Sequence, residues 1–210
     1  MYLTRVEIDF NNRKNAKELN HLGAYHNWVE ESFPQEVDKK IRTRKLWRID
    51  TLNNKEYLLI VSEDKPDLNK LERYGVKGSA KTKDYGKFLE TLEEGQKYKF
   101  RLVANTTVSK PVEGKRGRVV PIVDVTKQMD FLLARAEKNG FELNPSDFYV
   151  LDSSFLPLKK HNEKTINLIK VTYQGELTIK NKEKFLSLLT KGIGRKKAYG
   201  FGMMTVIPIK

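Results

Sequence analysis

One of the three histidines in the chain lies in a pattern that could support proton transfer. His26 belongs to the segment LGAYHNWVEESFP, residues 22–34, whose apolar residues recur at helical spacing. The pattern predicts a helix over about residues 20–33, capped by Asn20, with His26 at the edge of its apolar face. Near a helix N-terminus the dipole disfavours imidazolium, so we expect the pKa of His26 to be lowered. A neutral imidazole could take a proton from a ribose 2′-hydroxyl, and an imidazolium could give one to a leaving 5′-oxygen. The alternative is a core histidine satisfied by one hydrogen bond.

The rest of the composition points away from metal chemistry. We expect His21 to be exposed near the helix start and His161, in LKKHNEK, to be solvated on a charged turn. The chain has no cysteine, which excludes disulfides and thiolate metal sites. No cluster of carboxylates has metal-ligand spacing. If the protein cleaves RNA, we therefore expect it to act without a metal or another cofactor, using the RNA's own 2′-hydroxyl as the nucleophile.

A second pattern near the end of the chain combines glycines with unpaired cations. The segment LTKGIGRKKAYGFGMM, residues 189–204, contains four glycines and four cations but no carboxylate. The glycines are Gly192, Gly194, Gly200 and Gly202, and the cations are Lys191, Arg195, Lys196 and Lys197. Such a loop predicts contact with a phosphate chain. Because it matches neither a Walker A nor a Rossmann pattern, a nucleic-acid backbone is favoured over a nucleotide cofactor.

Two further basic clusters extend this prediction. The segment KPVEGKRGRVV carries Lys110, Lys115, Arg116 and Arg118 in a loop with two glycines, and Lys159 and Lys160 lie at the tip of a predicted hairpin. Each cluster alone is typical of a solvated face, but together they predict a continuous anion-binding track. The net charge of +13 also indicates a polyanionic partner. A soluble basic protein with solvated lysines is the alternative.

The order of predicted elements indicates an α+β fold with two tandem ferredoxin-like (RRM-like) βαββαβ domains. The first, residues 1–90, contains an alternating strand over residues 2–10, the histidine helix, two strands joined at Asn53-Asn54 and a short helix. The second, residues 95–210, repeats this order, with helices that end at Asn139-Gly140 and begin at Asn181. The RNP signature of RRM domains is absent from the sequence, so RNA contacts are expected through loops and basic edges.

The N-terminal segment MYLTRVEIDF lacks the basic start and apolar core of a signal peptide, and the sequence contains no apolar run of about 18 residues. We therefore expect a cytoplasmic protein with no membrane partner.

Several segments resemble the CasE (Cse-type) family of CRISPR repeat-RNA endoribonucleases, subunits of the type I-E Cascade complex. They are MYLTRVEID, LGAYHNWVEESFP, FRLVANTTVS, GKRG and YQGELTI with FLSLLTKGIGRKKAYGFGMMTVIP. The resemblance runs over essentially the whole chain, and GIGRKKAYGFGMM is its most specific part. It implies two ferredoxin-like domains that bind the CRISPR repeat stem-loop and cut the RNA at the 3′ base of the stem. The implied reaction needs no metal and leaves a 2′,3′-cyclic phosphate and a 5′-hydroxyl.

The resemblance also assigns residues and partners. The family's catalytic histidine falls on His26, whereas the tyrosine that often precedes it by one turn is replaced by Gly23. Tyr25 is a weaker candidate, and Lys159, Lys160 or a loop cation could stabilise the pentacovalent phosphorane. The family implies retention on the mature crRNA with other Cascade subunits, and we expect a monomer when free. A non-catalytic subunit that binds the crRNA hairpin and a structural partner protein with a solvated basic face remain the alternatives.

Overall fold

The computed structural model describes residues 1–159 and 162–209, with the backbone alone for Val37, Lys115 and Arg116. The candidate site residue Lys160 and the expected solvated His161 therefore lie outside the described residues, as do the side chains of Lys115 and Arg116. Within the described part of the chain, no helix is long and apolar enough to cross a membrane.

The first half folds around an antiparallel four-stranded sheet. Its elements are β1 (Tyr2–Glu7), α1 (Arg13–Glu18), α2 (Leu22–Glu31), α3 (Pro34–Lys39), β2 (Leu46–Leu52), β3 (Lys55–Ser62), α4 (Leu68–Leu71), β4 (Lys81–Asp84) and α5 (Gly86–Glu90). The strand order is β2-β3-β1-β4, with every neighbouring pair antiparallel. This is the order of a ferredoxin-like unit. The predicted turn is confirmed, because Asn53 and Asn54 both have a positive φ.

The second half repeats this arrangement in a larger sheet. Its elements are β5 (Lys97–Ala104), β6 (Thr107–Val112), β7 (Lys115–Pro121), α6 (Val125–Ala136), a 3₁₀ turn (Glu137–Asn139), β8 (Phe141–Glu142), β9 (Phe148–Leu158), β10 (Ile166–Ile179), α7 (Lys182–Lys191), a second 3₁₀ turn (Lys197–Tyr199) and β11 (Met204–Pro208). The strand order is β11-β5-β10, and β8 and β9 both pair with β10. The predicted helix stop and cap are confirmed by left-handed Gly140 and by the side chain of Asn181, which accepts from the Lys184 N–H. The fold class is therefore α+β, as expected.

Several short elements were not predicted from the sequence. Helices α1, α3 and α5 have five or six residues each, which is too short for a clear hydrophobic period. Strand β4 has the sequence KTKD and lies at a sheet edge, so it shows no apolar alternation. The prediction that the segment containing Lys110 and Arg118 is a loop is wrong. This segment forms β6 and β7, a two-stranded sheet of its own.

The two halves share their apolar cores. Leu46 and Val61 belong to the large core that lies mainly beneath the second sheet. Phe201, from the glycine-rich segment, belongs to the core around α2. Polar contacts join the halves too: Trp47 Nε1 donates to the Ala198 carbonyl at 3.0 Å, and buried Arg48 donates to carbonyls of the second half. The start of β2 is thus held between α2 and the glycine-rich segment.

Candidate active site

The N-terminus of α2 is capped by a histidine. His21 has an extended backbone, and its Nδ1 accepts a hydrogen bond from the Ala24 N–H at 3.2 Å. The prediction of Asn20 as the cap is therefore wrong, and so is the prediction of an exposed His21, which is half-buried. Burial and the nearby Lys159 ammonium both lower the pKa of His21. The neutral ring suits the cap, because a cap must accept a hydrogen bond.

His26 lies about one turn further along α2, with 16% of its side chain exposed. Its ring meets that of Tyr199 edge-on, with the ring centroids 5.2 Å apart. The Nδ1 atom is buried, and Nε2 lies 3.1 Å from Nη2 of Arg42. A guanidinium can only donate, so Nε2 must accept and the neutral ring carries its proton on Nδ1. Proton exchange with a bound molecule would therefore take place at Nε2.

A compact group of charges surrounds this imidazole. Oε1 of Glu30 lies 3.8 Å from Nδ1 of His26, and its Oε2 lies 3.1 Å from Nε of Arg42 and 3.4 Å from Nζ of the buried Lys45. Burial is the main reason that the pKa of His26 is lowered; Glu30 opposes the shift, and Arg42 and Lys45 reinforce it. The direction expected from the sequence is thus correct, but the main cause is burial rather than the helix dipole.

A second carboxylate holds Lys45 in this group. Glu36 lies 2.6 Å from the Lys45 Nζ and also accepts from the Thr43 hydroxyl. Burial acts to raise the pKa of Glu36, but hydrogen bonds from Lys45 and Thr43 outweigh it and lower the pKa overall. Because Lys45 is 4% exposed and paired with two carboxylates, the group is fixed rather than solvated.

His26 opens into a surface cavity of about 700 Å³. The cavity is lined by His21, Gly23, His26, Asn27, Lys159, Asn162, Glu163 and Tyr199. Three parts of the chain thus meet here: the start of α2, the tip of the β9–β10 hairpin and the glycine-rich segment. The volume is within the range of small-molecule and cofactor sites.

At Gly23, where the resemblance implies a tyrosine, the structure leaves no room for a side chain. A Cβ atom at this position would collide with the backbone carbonyl oxygen of Lys159. Any side chain there would have to displace the tip of the hairpin. The aromatic ring beside His26 comes instead from Tyr199, which is distant in sequence. Sequence reasoning missed Tyr199, and its only signal was an aromatic residue among glycines and cations.

Tyr25 occupies different surroundings from His26. It is buried, and its ring stacks on Trp47 at 5.9 Å and tilts against Trp28 at 6.3 Å. Burial is the main reason that the pKa of Tyr25 is raised, and Glu56 adds to it. Tyr25 is not among the residues that line the cavity of His26.

The glycine-rich segment is packed as well as basic. All four of its glycines have positive φ, as the glycine pattern allows. At Gly200 a Cβ would lie 2.6 Å from the Trp47 ring, and at Gly202 it would collide with the Ile193 carbonyl oxygen. These two glycines therefore allow the segment to pack against β2 and itself. Gly194 differs, because a Cβ there would meet open space.

The predicted cations do not form one group. Lys159 lines the cavity, and Lys196 lies 6.0 Å from the centroid of the Tyr199 ring. Lys197 turns inward and donates to the Gly192 carbonyl at 3.3 Å; burial and then Arg44 lower its pKa. The side chains of Lys191 and Arg195 are exposed.

The hairpin of β6 and β7 presents a different arrangement. Lys110 and Arg118 are exposed and directly opposite each other in register. Like charges in this position repel each other unless an anion lies between or near them.

Arg42, Glu30 and Lys45 were also missed by sequence reasoning. The available signals were the basic segment RTRK, residues 42–45, and a glutamate four residues after His26.

The fold and this site together define a class of basic α+β proteins with a histidine in a partly cationic cavity. A family model described as "CRISPR associated protein" matches residues 1–208. The chain belongs to this family. It is 25% identical to the CRISPR-associated endoribonuclease Cse3 of Thermus thermophilus over 219 residues, which cover 99% of this chain and all of that protein. This confirms the resemblance that the sequence segments indicated.

Solved structures show the same fold. Cse3 bound to a 19-nucleotide RNA matches with a TM-score of 0.80 and 23% identity, covering 99% of both chains. Thermus thermophilus Cse3 bound to an RNA representing a pre-cleavage complex matches with a TM-score of 0.81 and 23% identity, covering 99% of this chain and 98% of that one. Cas6e from Escherichia coli K-12 matches with a TM-score of 0.61 and 21% identity over the full length of both chains.

Proposed function

We propose that the protein is a CRISPR RNA-processing endoribonuclease that binds the repeat stem-loop and cuts the precursor at the 3′ base of the stem. The reaction needs no metal and gives a 2′,3′-cyclic phosphate and a 5′-hydroxyl. The observation that carries the proposal is the position of His26, whose Nε2 lies 3.1 Å from Arg42 beside a cavity lined by a lysine and whose pKa is lowered chiefly by burial. Family membership and the Cse3 relative support the substrate class.

The reaction is a balanced transesterification. The ribose 2′-oxygen attacks phosphorus and loses its proton, the P–O5′ bond breaks, and the 5′-oxygen gains a proton. His26 Nε2 performs one of these transfers, as base or as acid, which is worth about 10²–10⁴ in rate. Lys159 faces the same cavity and stabilises the developing negative charge. Lys160, beyond the described residues, stays a candidate for that role. Tyr25 takes no part in proton transfer, because its ring packs against two tryptophan rings.

RNA binding uses the exposed cations. The cross-strand pair Lys110 and Arg118 gains most from a phosphate, because an anion relieves its repulsion. Lys115 and Arg116 lie on the same hairpin by sequence. Lys191, Arg195 and Lys196 supply further phosphate contacts from the glycine-rich segment.

Residues 1–90 and 95–210 act as the two units, since each contains one of the two large sheets. The protein is cytoplasmic and a monomer when free. It stays on its product crRNA and assembles with other Cascade subunits, as the relatives found in surveillance complexes suggest.

The test is cleavage of an RNA that carries one CRISPR repeat of the source organism. His26→Ala is expected to lose about 10²–10⁴ in single-turnover rate, while its affinity for the same RNA with a 2′-deoxyribose at the cut site stays close to wild type. Thermal unfolding of the variant is the control for folding. Cleavage by His26→Ala at the wild-type rate would refute the proposed role of His26.

A metal chelator distinguishes the proposed reaction from metal-assisted hydrolysis. The cations Arg42 and Lys45 near His26 disfavour a divalent ion at Nε2. Cleavage in EDTA is therefore expected to match cleavage in Mg²⁺, and the product is expected to end in a cyclic phosphate. Activity that disappears in EDTA and returns with Mg²⁺ contradicts this.

The second candidate is a non-catalytic subunit that binds the crRNA hairpin. Gly23 favours it, since the backbone of Lys159 fills the space for a tyrosine. Tight, salt-sensitive binding with no cyclic-phosphate product after long incubation would support this candidate instead.

A further inference from the structure

In the free protein, Nε2 of His26 contacts a side chain that must lie beside the reacting atoms when RNA binds. The contact is made by Nη2 of Arg42 at 3.1 Å. Because Nδ1 is buried, Nε2 is the nitrogen available to a bound molecule. RNA must therefore take the place of Arg42 at Nε2 before His26 can exchange a proton with it.

The guanidinium of Arg42 is held by Glu30 at one edge, and its other edge contacts the ring that RNA must reach. Its Nε donates to Glu30 at 3.1 Å, and Glu30 is held in turn by the buried Lys45. The side chain is nevertheless 64% exposed and extends from the segment between α3 and β2. The contacts to Glu30 and His26 use two of the five N–H donors of Arg42, which leaves three for an anion.

The geometry of a phosphodiester determines what Arg42 meets when RNA binds. To exchange a proton with Nε2, the 2′-oxygen or the 5′-oxygen must come within about 2.6–3.2 Å of it. In the reaction both oxygens are bound to the same phosphorus as the two non-bridging oxygens. The anionic oxygens therefore arrive next to the guanidinium, whose planar donors match two phosphate oxygens at once.

We infer that Arg42 is a catalytic residue that receives the scissile phosphate. In the free protein its guanidinium caps Nε2 of His26. In the complex it moves to the non-bridging oxygens, which frees Nε2 and stabilises the negative charge that grows on the phosphorane. This inference rests on the proposed function of His26 and adds a residue that the sequence did not indicate.

The charged groups around His26 make a pH readout informative. Glu30 lies on the same helix as His26, and Arg42 and Lys45 lie on the segment between α3 and β2. The other charged or titratable groups are those around the cavity, His21, Lys159 and Glu163. Arg42 is one of the groups that lower the pKa of His26. Its removal is therefore expected to raise the pKa of His26 in the free protein.

The experiment compares Arg42→Ala and Arg42→Lys with Arg73→Ala. Arg73 pairs with Glu31 at 2.8 Å and is similarly exposed, but it is not among the residues that line the cavity. The substrates are the single-repeat RNA, the same RNA with sulfur in place of either non-bridging oxygen at the cut site, and the 2′-deoxy RNA for affinity. His26→Ala is assayed in parallel.

We expect Arg42→Ala to lower the single-turnover rate by about 10²–10³, with less than about a tenfold loss of affinity for the 2′-deoxy RNA. Arg42→Lys is expected to recover part of the rate, and Arg73→Ala to match wild type. Sulfur at one of the two non-bridging positions should slow cleavage by the wild-type protein. It should slow cleavage by Arg42→Ala little further, because the contact to that oxygen is already lost.

Two outcomes overturn the inference, and a third concerns the proposed function. If His26→Ala is inactive but Arg42→Ala cleaves at or above the wild-type rate, Arg42 is only a cap and does not receive the phosphate. If the rate loss in Arg42→Ala follows the loss of affinity and the sulfur effects stay additive, Arg42 only binds RNA. If His26→Ala cleaves normally, the proposed function itself is wrong. Because the side chain of Arg42 is exposed, its replacement should not prevent folding. Partial recovery of the rate in Arg42→Lys then distinguishes a lost contact from a failure to fold.

Discussion

The glycine-rich segment and the β6–β7 hairpin look alike in sequence but differ in structure. Both are short, basic and glycine-bearing. The segment packs against Trp47 and turns Lys197 inward, and it brings Tyr199 to His26. The hairpin pairs with neither large sheet and exposes Lys110 opposite Arg118. The comparison indicates that one basic region builds the site while the other is free to bind.

The largest expected effect is a loss of folding stability on substitution in the glycine-rich segment. Gly200→Ala combines a left-handed alanine with overpacking against Trp47, so we expect a loss of about 2–4 kcal/mol in the free energy of unfolding. Gly194→Ala is the matched control, because it has a similar φ but open space around it, and it should lose only about 1–2 kcal/mol. Urea unfolding measures both. Equal losses would show that the Trp47 ring accommodates the added Cβ without cost.

The next effect is on RNA affinity, in the hairpin. Replacing both Lys110 and Arg118 with Gln should reduce the slope of log affinity against log salt by about 2, because two phosphate contacts are lost. Stability should stay the same or rise slightly, since a like-charge pair is removed. The control replaces Lys127 and Lys138, exposed cations on and just after α6. An unchanged salt slope in the hairpin variant would remove the hairpin from the binding surface.

A smaller effect on RNA affinity distinguishes Arg195 from Lys197 in the glycine-rich segment. Arg195→Gln should reduce the salt slope by about 1, because its side chain is exposed. Lys197→Gln should change the slope less and lower stability instead, since Lys197 donates to the Gly192 carbonyl. Salt titrations of binding, together with urea unfolding, compare the two variants. The reverse pattern would mean that Lys197 leaves the segment to contact RNA.

The smallest effect concerns pH. The pKa values of His21 and His26 are both lowered from 6.5, chiefly by burial. The unfolded chain therefore takes up protons first as the pH falls. Their contribution to stability is present above about pH 6.5 and is lost as the pH falls towards the folded-state values. Histidine NMR titration should place both below 6.5, and His26→Ala should weaken the loss of stability in acid.

The sequence predicted the features that depend on local pattern. The strand pairs, the turn at Asn53-Asn54 and the cap at Asn181 all follow from alternation or from residue type. The placement of His26 on a helix with a lowered pKa was also predictable.

The environment of His26 could not be predicted, because it is built from distant segments. Arg42, Lys45 and Tyr199 reach the ring only through tertiary packing, and no local period marks them. The same reason explains the error on the hairpin, since a charged, proline- and glycine-bearing strand pair shows no alternation. The role of Gly23 likewise depends on a carbonyl from another hairpin.

The packing of the glycine-rich segment against Trp47 also means that His26 acquires its neighbours from the last part of the chain to be synthesised. Trp47 gives its indole hydrogen to the Ala198 carbonyl, and His26 is flanked by Tyr199. A ribosome makes the helix of His26 long before it makes these partners. A nascent or prematurely terminated polypeptide would thus carry the imidazole without its aromatic wall. The surroundings of His26 are thus complete only after translation has passed Gly200.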